Sequence, residues 1–116
     1  MTLEDDLARV VDAFVDRMFD DFIIGFRFEG ADRERVKRFE LELARKHLLG
    51  LGSYGGRPIG PLHRAQRINA GQFRRRLALL QTVALEEGLD PDVLERWVAH
   101  DRKLERAITD GTDCVE

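Results

Sequence analysis

Of the three histidines in this chain, His47, His63 and His100, only His63 sits in a frame built to present it. That frame reads Tyr54-Gly-Gly-Arg-Pro-Ile59-Gly-Pro-Leu62-His63-Arg-Ala-Gln-Arg-Ile68-Asn-Ala-Gly-Gln-Phe73. Imidazole is the commonest protein ligand for metals and one of the groups that hold a haem iron axially. A lone histidine in a small helical domain is more often a surface group or a satisfied core group, so its neighbours decide the reading. No second His or Cys stands at zinc-like spacing, and there is no Ser/His/Asp or phosphate-loop signature. Apolar residues are plentiful in every helical stretch around it. Phe28, Phe39, Leu43, Leu62, Ile68, Phe73, Leu77 and Val98 could line a flat slot, or could equally be ordinary core.

The frame resembles that of the truncated haemoglobins, closest to group I. In that family a Tyr-x-Gly segment runs through a Pro to the proximal histidine, and an Ile and a Phe follow at the spacings seen here. Phe28 falls at the family's haem-stacking phenylalanine with no gap before His63. The likeness covers about Glu4 to Ile108 and is ungapped from Phe14 to Phe73. It implies an all-α, two-on-two helical sandwich around one haem b, with His63 on the iron. By the same resemblance Phe28, Val36, Lys37, Phe39, Leu43, Ala44, Tyr54, Ile59, Leu62, Ile68, Phe73, Leu77 and Val98 would hold the cofactor, Lys37 lying near its propionates. The implied partner is a diatomic gas (dioxygen, carbon monoxide or nitric oxide) together with a reductase. Nitric oxide dioxygenase or peroxidase-like chemistry enters only as a property of the family. The rival reading is a cofactor-free helical domain that keeps the globin frame for protein–protein contact.

On the opposite side of the implied pocket the chain departs from its relatives. Counting from Phe28 puts Val15 where many of them carry a distal Tyr, and Glu40 where they carry a Gln; Val36 is the third distal candidate. Valine donates nothing, and an ionised glutamate only accepts. A protonated Glu40 could donate, and burial would favour that form. The alternative is a helix rotated so that Leu41 faces inward and Glu40 meets solvent. His47, seven residues beyond Glu40 and roughly 10 Å along the helix, reads as a surface histidine. His100, among charges, is expected to face water. Set against the family's pattern, the chain is expected to lack the short leading helix and its following Gly-Gly.

Four amphipathic helices would position these groups. Thr2 caps the first, with Glu4, Asp5 and Asp6 at its positive end. Its apolar stripe runs Leu3, Leu7, Val10, Val11, Phe14, Val15, Met18, Phe19, Phe22, Ile23. A bend over Gly25–Gly30 carries Phe26 and Phe28, and Asp32 opens a second helix to about Leu49. A loop over Gly50–Gly60 follows, then a short helix begun by Pro61. Asn69 and Gln72 form a capping box for a helix to about Glu87, and Asp90-Pro91 starts the last one. The domain is read as residues 1–109, with a flexible tail over 110–116.

A chain of 116 residues, 43% hydrophobic and 35% charged, suits one well-solvated helical domain, and at this length roughly two-thirds of the extended surface can be buried. A net charge of −3 gives no general attraction for nucleic acid, and Arg74-Arg75-Arg76 reads as a solvated helix face. The single Cys114 permits no internal disulfide and fits a reducing cytoplasm. An acidic N-terminus is unlike a signal peptide, and Phe22-Ile-Ile-Gly-Phe26 is too short to span a membrane. The oligomeric state is left open.

Overall fold

Thr2 opens the first helix, α1 (Leu3–Phe19), through a full capping box. Its hydroxyl accepts from the Asp5 N–H at 3.1 Å, while the Asp5 carboxylate accepts from the Thr2 N–H at 3.3 Å. A computed structural model describes residues 2–52 and 70–109, the last four by their backbone alone. Leu7, Val10, Val11, Phe14, Val15 and Met18 form the buried face of α1. The stripe stops earlier than expected. Asp21 turns its carboxylate onto the N–H groups of Ile23 and Ile24, both at 3.0 Å, and so competes with continued helix. Phe22 is therefore fully exposed and Ile23 half so, while Ile24 alone of that run enters the core.

Gly25 makes this corner possible, because a Cβ there would lie 2.7 Å from the Phe19 carbonyl oxygen. A 3-10 turn over Gly25–Phe28 follows. It lays Phe28 on Phe19 with ring centroids 4.7 Å apart, and Arg33 covers Phe19 as well, at 4.7 Å.

Asp32 caps α2 (Arg33–Ala44) by accepting from Glu34 and Arg35 N–H groups. The helix widens into a π turn over Arg45–Leu49 and closes at Gly50, whose φ of 68° suits a residue without a side chain. Leu48 is buried by that turn, and its carbonyl accepts from Arg96 at 2.6 Å. Helix α3 spans Ala70–Glu86, and α4 spans Pro91–Thr109 with Asp90 accepting from the Asp92 N–H.

The result is all-helical, with no strand among the described residues. Helix α1 lies against both α2 and α3, α3 lies against α4, and the π turn meets α4. The main core gathers the α1 face, Ile24, Ala44, Leu48, Leu79, Leu80, Val83, Ala84, Leu89, Val93 and Trp97. A second, smaller cluster of Phe73 and Leu77 takes Leu104 from α4. Ion pairs such as Arg17–Glu86 and Arg45–Glu4 stitch the helices at the rim, where each contributes little, while Arg75 holds the Asp21 carboxylate, only 5% exposed, at the corner after α1.

Candidate functional site

Five of the sequence-predicted residues, Tyr54, Ile59, Leu62, His63 and Ile68, lie outside the described residues. The apolar ones among the rest fall into three groups. Val15 and Ala44 are buried in the main core, with Phe28 and Val36 packed against it. Phe73 and Leu77 make the second cluster, and Phe39, Leu43 and Val98 are not members of the main one. Phe39 is partly buried beneath two guanidinium groups, Arg35 at 5.2 Å and Arg38 at 4.9 Å.

Lys37 is neither an open surface lysine nor a free cation. Its Nζ lies 2.9 Å from Asp12, 3.0 Å from Asp16 and 3.6 Å from Glu34. The hydrogen bonds to Asp12 and then Asp16 hold its pKa well above the usual lysine range. In return Lys37, helped by Arg33, holds the Asp16 carboxyl below its usual range. The residue ties α2 to α1.

Glu40 is engaged by a partner that the sequence does not announce. Both of its oxygens accept from the Arg76 guanidinium, Oε1 from Nη1 at 3.0 Å and Oε2 from Nη2 at 3.2 Å. Asp101, only 3% exposed, accepts from Nη2 at 3.4 Å. The Phe14 ring lies 5.0 Å from the guanidinium, and the Met18 sulfur lies 3.7 Å from Nη1. Burial works against the Arg76 charge, but Glu40 and Asp101 outweigh it and raise the pKa further. Leu41 packs on the core, as the rotated alternative has it, while Glu40 faces Arg76 and is 19% exposed rather than open to solvent.

Beside this cluster, His47 at the end of α2 and His100 on α4 face each other with ring centroids 3.8 Å apart. His100 Nδ1 is 3.6 Å from Asp101, and its side chain is 20% exposed rather than open to water. Desolvation first, then the charges of His100 and Lys46, lower the His47 pKa, and Asp101 opposes them. Glu40, Leu43, Ala44, His47, Leu48, Trp97, His100 and Asp101 line a small cavity here, about 10 Å³, the scale of a single water.

Sequence reasoning read Arg74-Arg75-Arg76 as one solvated face, and the structure separates them. Arg74 is exposed, Arg75 binds Asp21 at 2.6 Å, and Arg76 turns inward. One signal could have found Arg76: it falls three residues after Phe73 and four before Leu80, on the helix face that is otherwise apolar. No comparable signal links His47 to His100.

Chemically, the described part of the site offers a fixed cationic donor between two carboxylates, a histidine pair and several apolar side chains. Among the described residues no group of three or more His, Cys, Asp or Glu is arranged to hold a metal ion, and no helix is long and apolar enough to cross a membrane. No family model matches the chain, and no curated protein is detectably similar to it.

Proposed function

We propose that this chain is a haem-binding globin of the truncated type, with His63 as the iron's protein ligand and a diatomic gas as its physiological ligand. The observation that carries the reading is how the apolar side chains divide. A core around α1 closes the fold, and Phe39, Leu43, Phe73, Leu77 and Val98 are not members of it. Those five are positions at which the resemblance places the macrocycle, as are Ala44 within the core and Phe28 and Val36 packed against it. They come from α2, α3 and α4, and α2 and α3 are joined in sequence by the segment that carries His63. The pairing of α1 with α2 and of α3 with α4 supports a two-on-two sandwich in the same sense.

The residues present suit a haem. The apolar set would bury the macrocycle, and imidazole is an axial ligand of the right kind. When bound, the haem would supply an iron centre for a small diatomic molecule. Phe28 would serve the pocket from its stack on Phe19, and Lys37 would face any propionate already engaged by Asp12 and Asp16. Turnover of nitric oxide or peroxide with a reductase belongs to the same proposal.

One observation favours a second reading, a cofactor-free helical domain for protein contact: the α1 core is already closed among protein side chains. Absorption spectra separate the two. Protein purified with haem supplied is expected to show a Soret band that shifts between ferric, ferrous and carbon monoxide forms. His63→Ala should lose or greatly weaken haem retention, leaving only hydrophobic and propionate contacts. Wild-type affinity and an unchanged ferrous spectrum in that variant would sink the assignment.

A further inference from the structure

We infer that Arg76 is the hydrogen-bond donor to the ligand on the side of the pocket where Val15 and Glu40 supply none. The inference rests on the haem reading. Val15 is fully buried and apolar, and both Glu40 oxygens are occupied as acceptors. Arg76 reaches from α3 to Glu40 and to two residues of the α1 face that carries Val15. Its guanidinium lies against Phe14 and Met18 of α1, the neighbours of Val15, and is gripped by Glu40 of α2.

The donor inventory agrees. A guanidinium carries five N–H groups in a fixed fork. Glu40 takes one from each terminal nitrogen at good length. The other two terminal donors are held less closely, one by the Met18 sulfur at 3.7 Å, a weak acceptor, and one by the Asp101 carboxylate at a long 3.4 Å. A bound ligand carrying partial negative charge would accept from the first more strongly than a thioether does. The plain alternative is a structural ion cluster. Against it stands the cost of desolvating three charged groups, which apolar residues of similar size would avoid. Arg76 interrupts the apolar row of Phe73, Leu77 and Leu80, where an aliphatic side chain would close the fold more simply.

The test compares the parent with Arg76→Met. Because that change alone leaves two facing carboxylates, a second variant joins it to Glu40→Leu and Asp101→Leu, which leaves a neutral core with no donor. In the ferrous carbon monoxide form, the C–O stretching frequency reads the field at the ligand. It should rise in both variants as the cation is removed. Dioxygen release should become at least tenfold faster in both. A parent with a Soret band whose stretch and release rate Arg76→Met and the triple variant leave unchanged would overturn this inference alone. A parent that takes up no haem would overturn the haem reading and the inference with it.

Discussion

Removing the Glu40 side chain should destabilise the protein clearly more than removing that of Asp101, although Asp101 is the more deeply buried of the two. The Arg76 fork gives Glu40 two charge-assisted hydrogen bonds at 3.0 and 3.2 Å, and gives Asp101 one at 3.4 Å. Taking one partner from a buried ion pair costs about 3–5 kcal/mol. The low end, about 3 kcal/mol, applies to Glu40→Ala, because the carboxylate is 19% exposed and Asp101 remains to hold the cation. Asp101→Ala removes the long bond and the His100 contact at 3.6 Å, and leaves one cation facing one anion, a balanced pair. Its expected cost is about 1–2 kcal/mol, near the lower part of the range for charged hydrogen bonds. The difference of about 1.5 kcal/mol corresponds to a urea midpoint shift of roughly 1 M at an ordinary slope for this size. Urea titration of haem-free protein, followed by helical circular dichroism, measures both. Equal midpoints, or Asp101→Ala the weaker protein, would show that burial and not the fork geometry sets the energy of this cluster.

Phe28→Ala should cost about 2 kcal/mol, less than the roughly 3–5 of a fully buried ring, since Phe28 is partly buried and its main partner is the Phe19 stack. A urea midpoint unchanged from the parent would deny the stack. Stability should also fall on acidification below about 6.5 through His47. Its folded pKa is depressed, so the unfolded chain takes up the proton first; the contribution is complete above the unfolded value and is lost as pH drops through the folded one. His100 and Asp101 from α4, with Lys46 and Glu40 from its own helix, are the charged groups around it. His47→Gln should flatten the midpoint between pH 5 and 7, and an equal slope in both proteins would remove His47 from the account. Asp16 and Asp21, whose pKa values Lys37 and Arg75 depress, act in a separate window, stabilising above about 3.8 and losing that contribution in stronger acid.

The helix starts were legible because caps are local chemistry: Thr2, Asp32 and Asp90-Pro91 each act within a few residues of themselves. The end of α1 was not, since apolar period alone carries the stripe through Phe22 and Ile23. Only the side-chain competition by Asp21 breaks it. The three consecutive arginines show the same limit. A helix turns each successive residue by about 100°, so one run serves solvent, an ion pair and the interior in turn. His47 and His100 meet across two helices, and nothing local to either announces the other. For the proposed site, the apolar set was read from residue types, while Glu40 and the role of His63 rest on the resemblance.

Where the resemblance expects a hydroxyl on α1, this protein has Val15, wholly buried among Val11, Phe14 and Met18 on the same face. A tyrosine there would need room that this packing does not leave, and overfilling a close-packed interior costs about 1–3 kcal/mol. The polar function can instead be carried by a longer side chain from a neighbouring helix, as its apolar stem packs while its head stays charged. Arg76 meets that description: its head lies over the Phe14 ring and is oriented by Glu40, the residue standing at the other donor position. On the proposed haem reading, Val15 and Glu40, two departures that look independent in sequence, become one arrangement in space. The first would leave the ligand side without a donor, and the second would fix the direction of the donor that enters from α3.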